Sequence, residues 1–104
     1  MALVHRVDLN HVQQMIWQAV AQIPAGQVTS YGTIAKDIGF PNHARYVGAT
    51  LKKLPSDSRL PWHRVLNSKG AIAFAKGTPQ YQEQRLRLEQ EGVVFIEGRA
   101  QLVG

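Results

Sequence analysis

Apolar positions recur at helical spacing through the first half of the chain. Val12, Ile16, Ala19, Val20 and Ile23 form one stripe, widened by Met15 and Trp17, which read as core. Asp8 or Asn10 can cap this helix, and Asn10 with Gln13 has capping-box spacing. Pro24-Ala25-Gly26 stops it. Gln27 to Ser30 reads as extended, with Thr29 or Ser30 capping a second helix through Ile34, Ala35 and Ile38 to Gly39. A small residue followed four later by glycine suits a helix-turn-helix crossing. Phe40-Pro41-Asn42 completes the turn, with Asn42 as the next cap. A third helix is expected over 43–54. It would bury Ala44, Val47, Leu51 and Leu54 and present Arg45, Gly48, Ala49 and Lys52 on its other face.

The second half is patterned differently. A polar loop from Pro55 to Leu60 precedes Pro61-Trp62-His63-Arg64-Val65. Val65-Leu66, a turn at Asn67-Ser68-Lys69-Gly70 and Ala71 to Phe74 predict a hairpin, which after a helix-turn-helix reads as a wing. Thr78-Pro79 opens a last helix, polar up to Glu91, with Tyr81, Leu86 and Leu88 as its thin apolar content and Gly92 as its end. Val93 to Ile96 reads as a buried extended segment, with the tail pairing back across a turn at Glu97-Gly98. The expectation is one domain over 1–104, mainly α with a small β wing, of winged helix-turn-helix type.

Composition narrows the chemistry. The net charge is +5 and the pI about 10.0, which favours a polyanionic partner, nucleic acid above all. The chain has no cysteine, which removes disulfides, thiolate catalysis and Cys-ligated zinc. His5, His11 and His43 lack metal spacing, so no metal or cofactor is expected. No run reaches the ~18 apolar residues of a membrane span, and a cytoplasmic protein, nucleoid-associated in a bacterium, is expected. His63 is the one candidate base. Two small residues between two cations on the Arg45, Gly48, Ala49, Lys52 face can approach a nucleic-acid backbone or groove, or pack closely on another helix.

Four segments, in order, carry a resemblance covering about Leu9 to Ile96. They are Ile23-Pro24-Ala25-Gly26-Gln27-Val28-Thr29-Ser30-Tyr31-Gly32, Ala44-Arg45-Tyr46-Val47-Gly48, Pro61-Trp62-His63-Arg64-Val65 and Leu88-Glu89-Gln90-Glu91-Gly92. Together they resemble the catalytic DNA-binding domain of the O6-alkylguanine-DNA alkyltransferases, whose Pro-Cys-His-Arg-Val motif holds the nucleophile. Trp62 stands in that cysteine's place, which resembles the alkyltransferase-like proteins.

The resemblance implies a fold of the alkyltransferase C-terminal type with its recognition helix in the minor groove. It implies that Tyr31 presses on a phosphate to rotate a nucleotide out and that Arg45 fills the gap in the stack. Gly48, Ala49 and Lys52 join them on the DNA, with Thr29, Ser30, Lys36 and Lys53 as weaker phosphate candidates. Pro61, Trp62, His63, Arg64, Val65 and Phe74 (or Ala75) would form the lesion pocket, with Glu91 and His63 as its hydrogen-bonded scaffold. Leu54 stands where the enzymes keep an asparagine that braces the active-site turn. The implied function is a monomeric, non-enzymatic sensor of O6-alkylguanine in double-stranded DNA. It flips the lesion, leaves it unrepaired and presents it to nucleotide excision repair proteins. The competing readings are a hydrolytic dealkylase using His63 and Glu91 and a sequence-reading winged-helix regulator.

Overall fold

The computed structural model describes residues 9–55 and 57–102. Among the described residues, four α-helices, one 3-10 turn and two short strands follow in the order α1 (Leu9–Ala21), β1 (Thr29–Ser30), α2 (Tyr31–Asp37), α3 (Ala44–Lys52), the 3-10 turn (Trp62–Arg64), β2 (Val65–Leu66) and α4 (Pro79–Gln90). Among the described residues no helix is long and apolar enough to cross a membrane.

Local chemistry explains most boundaries. Asn10 lies inside the first turn of α1, so it is not the cap, and Asp8 lies outside the described residues. Ser30 caps α2 by accepting from Thr33 N at 3.1 Å. At the other end Gly39 takes φ +90°, and Phe40 N donates to Ala35 O at 2.8 Å while Gly39 N donates to Lys36 O. This pair of bonds satisfies carbonyls that the helix end would otherwise leave open. It also turns the chain back so that α3 packs against α2, with Ala35 fully buried in the core. The cap of α3 is His43 rather than Asn42, with no side-chain hydrogen bond, and the helix stops at Lys52, short of Leu54. Thr50 is buried beside Val47 and Leu51, whereas Ala44 is only half-buried. Thr78 accepts from Tyr81 N at 3.2 Å and, with Pro79 in the first turn, starts α4 where the sequence places it.

The expected hairpin does not form. β2 pairs instead in parallel with β1, Thr29 opposite Val65 and Ser30 opposite Leu66. The turn at 67–70 does form: Asn67 Oδ1 accepts from Lys69 N and Ala71 N at 2.9 and 3.0 Å, and Asn67 N donates to Ala71 O at 3.0 Å, but Ala71 to Phe74 beyond it is irregular. Successive residues of a strand face opposite sides. Val65 therefore joins the larger core with Val12, Ile16, Val20, Ile34 and Val47, while Leu66 joins a smaller one with Val28, Ile72, Leu88 and Ala100. Val93 to Ile96 is not a buried strand: Val94 and Ile96 are exposed. The turn at Glu97-Gly98 does form, with a bridge between Ile96 and Arg99 beyond which Ala100 N donates to Gly70 O at 2.8 Å.

Candidate nucleic-acid interface

Two concavities meet at the end of α3. The first is a shallow groove of about 440 Å³ that brings together Tyr31, Arg45, Gly48, Ala49 and Lys52 with Asn67 and Ser68. Tyr31 opens α2 and lies against α3 where that helix has no side chain: a Cβ on Gly48 would sit 3.7 Å from the Tyr31 ring. Gly48 is buried by this contact, so within the face expected to meet DNA it supports the tyrosine from behind. Burial raises the pKa of the Tyr31 phenol, which keeps it neutral. Arg45, Ala49 and Lys52 are exposed.

Thr29 and Ser30 do not reach the groove. Both are buried in β1, and the Ser30 hydroxyl is engaged in capping α2. Asn67 and Ser68, directly after β2, reach it where β2 runs beside β1.

The second concavity is a chamber of about 320 Å³. Trp62 and Phe74 form aromatic walls, set edge-to-face with ring centroids 6.3 Å apart. Leu51 and Leu54 of the α3 end line it, as do Pro79, Gln80 and Glu83 of α4. The Arg87 guanidinium stacks on the Trp62 ring at 5.4 Å and pairs with Glu83 at 2.6 Å. Lys52 lines both groove and chamber.

The rest of the motif lies behind this wall. Pro61, His63, Arg64 and Val65 do not line the chamber, and Val65 is fully buried in the core. Arg64 donates from Nε and Nη2 to the two oxygens of Glu91 at 2.9 and 2.7 Å, and from Nη1 to Ile23 O at 2.8 Å. Gly26 N reaches Glu91 Oε1 at 3.4 Å. The Arg64 guanidinium holds the Glu91 carboxyl down at about 2, against the cost of partial burial. An ionised carboxylate only accepts, so His63 Nε2–H donates to Glu91 Oε2 at 2.8 Å. Burial lowers the pKa of His63, partly offset by Glu91. The neutral ring then leaves Nδ1 as its other nitrogen, buried and with no hydrogen-bond partner among the described protein residues. These bonds tie the 3-10 turn to the end of α4 and the loop after α1.

Gln84 was not legible as a site residue. It is buried, and its Nε2 donates to His63 O and Val65 O at 3.0 and 3.1 Å, fixing the turn from the α4 side. A signal exists in hindsight: Gln84 shares a helix face with Tyr81 and Leu88 at i−3 and i+4.

Comparison with known proteins fits this geometry. The family model for the DNA binding domain of 6-O-methylguanine DNA methyltransferase matches residues 11–93. The chain is 49% identical over 89 residues to the DNA base-flipping protein of Escherichia coli, covering 86% of this chain and 67% of that one. It is 45% identical over 78 residues to alkyltransferase-like protein 1 of Schizosaccharomyces pombe, covering 75% and 72%. The crystal structure of the S. pombe protein with damaged DNA containing O6-carboxymethylguanine superposes with a TM-score of 0.82 at 37% identity, over 93% of each chain. The O6-methylguanine methyltransferase of Mycobacterium tuberculosis superposes at 0.67 with 38% identity, over 77% of this chain and 47% of that one. The chain thus belongs to the O6-alkylguanine-DNA alkyltransferase family, as an alkyltransferase-like member with Trp62 at the cysteine position.

Proposed function

We propose that this protein is a non-enzymatic sensor of O6-alkylguanine in duplex DNA, which receives the flipped lesion in the Trp62 chamber and releases it unchanged. The observation that carries this reading is the position of Trp62. Its indole walls a chamber that adjoins, through Lys52, a groove presenting Tyr31 and Arg45. An indole is not a usable alkyl acceptor, and the chain has no cysteine to serve instead. Extruding a base costs a few kcal/mol, less when its pairing is already weakened by alkylation. Arg45 in the vacated stack and aromatic contacts in the chamber would repay that cost. Tyr31, backed by Gly48, would push from the phosphate side.

A dealkylase is disfavoured by the same geometry. Neither His63 nor Glu91 lines the chamber, and the His63 nitrogen not bonded to Glu91, Nδ1, is buried away from it. A sequence-reading regulator has no use for an aromatic chamber beside its groove. The damaged-DNA complex of the S. pombe relative supports the sensor reading. A reversible complex leaves the lesion in place, so we further propose that the bound monomer marks the site for nucleotide excision repair proteins.

The test is a pair of duplexes identical except for guanine or O6-methylguanine at one position. Tighter binding to the modified duplex, with the methyl group retained after repeated binding, is expected. Equal affinity for both, or multiple-turnover loss of the methyl group, overturns the reading.

A further inference from the structure

The charge carried by the adduct is a second variable that the chamber can read, provided that it receives the extruded base as proposed above. Lys52 stands at the junction of groove and chamber, so a base moving between them passes beside its side chain. Its ammonium lies 5.6 Å from the centroid of the Phe74 ring, which holds it against the chamber wall. Two other charges are near. Glu83 lines the chamber and Arg87 stacks on Trp62, but these two pair with each other and largely cancel. Among the described residues no carboxylate forms a salt bridge with Lys52. The chamber therefore carries one uncompensated positive charge at its lip, beside walls of Leu51, Leu54, Trp62 and Phe74.

The geometry points to Lys52 as a specificity-determining residue that favours O6 substituents bearing a carboxylate over neutral substituents of the same size. A bound adduct displaces water from the aromatic wall, so the ammonium and the carboxylate meet in a less screened setting than two surface side chains. Lys52 itself stays exposed, which keeps the effect modest. A preference of about three- to tenfold is expected.

The test titrates the intact protein with four duplexes carrying guanine, O6-methylguanine, O6-carboxymethylguanine or its neutral amide, O6-carbamoylmethylguanine. It is repeated with Lys52→Met and Lys53→Met. Methionine is a good helix former at an exposed last-turn position, so the fold should persist. Lys53 is the control, since it lines a different concavity with Trp17 and Tyr46. The affinity ratio of carboxymethyl to carbamoylmethyl is the readout, because losing any cation weakens binding to every duplex. The wild type and Lys53→Met should show the preference, and Lys52→Met should bring the ratio to about one. A wild-type ratio of one, or a preference that survives in Lys52→Met, overturns the proposal. Equal wild-type binding to guanine and O6-methylguanine would instead sink the sensor reading, and this inference with it.

Discussion

Arg64 grips Glu91 with two parallel hydrogen bonds, Nε to Oε1 at 2.9 Å and Nη2 to Oε2 at 2.7 Å. The pair links the turn bearing Trp62 to the end of α4, and the third Arg64 bond, to Ile23 O, adds the loop after α1. Both side chains are mostly buried, so removing one partner strands the other. Arg64→Met should cost about 2–4 kcal/mol in urea denaturation at pH 7. The pH dependence gives the sign. The Glu91 carboxyl is held at about 2 in the folded chain against 4.5 unfolded, so its contribution is complete above pH 4.5 and lost as the pH falls toward about 2. The gap between wild type and Arg64→Met should therefore close as the pH falls from 4.5 toward about 2. In the wild type His63, lowered from 6.5 chiefly by burial and partly by the Arg64 charge, adds a loss of the same sign below that pH, which Arg64→Met should reduce.

Gly48 and Tyr31 form a second coupled pair. A methyl group on Gly48 would meet the Tyr31 ring at ordinary contact distance, 3.7 Å. Gly48→Ala should therefore fold and gain about 0.5–1 kcal/mol from helix propensity, read as a higher Tm. Gly48→Leu must displace the ring, so lesion binding should fall even where circular dichroism shows the helices intact.

The groove is expected to work through position as well as charge. Tyr31→Ala and Arg45→Ala should each lower affinity for an O6-methylguanine duplex by about tenfold or more, because each removes part of what offsets extrusion. Lys53→Ala should cost about twofold, as the loss of one phosphate contact would. Equal losses in all three variants, measured by fluorescence anisotropy, would reduce the interface to electrostatics.

Restoring a thiol should not restore transfer. In Trp62→Cys the new side chain would stand beside a His63 whose other nitrogen, Nδ1, is buried and which does not line the chamber. Single-turnover assays with labelled O6-methylguanine DNA should show slow or no transfer. Rapid transfer would mean that the network still activates a thiol.

What the sequence revealed was what short-range chemistry decides. The α1 stripe, the Ser30 and Thr78 caps, the turn at Gly39 and the Pro61 to Val65 motif each lie within a few residues. What it hid depends on distant partners. Two-residue strands leave no periodic signal, so the parallel pairing of Thr29-Ser30 with Val65-Leu66 went unseen and a second hairpin strand over 71–74 was expected in its place. Asn67 and Ser68, which follow β2, line the groove, whereas Thr29 and Ser30 are buried in β1 and do not line it. Gln84 looked like one more polar residue of α4, although its amide fixes the 3-10 turn. The exposed Val94 and Ile96 looked buried because an apolar run carries no information about what covers it.

The most direct test reads the chamber itself. The chain has two tryptophans, so Trp17→Phe leaves Trp62 as the sole indole emitter. Adding the O6-methylguanine duplex should change Trp62 emission to a saturable endpoint, while the guanine duplex at equal occupancy should not, and the lesion should be recovered intact afterwards. Identical emission with both duplexes, or recovery of unmodified guanine, would contradict a chamber that receives the lesion and leaves it unrepaired.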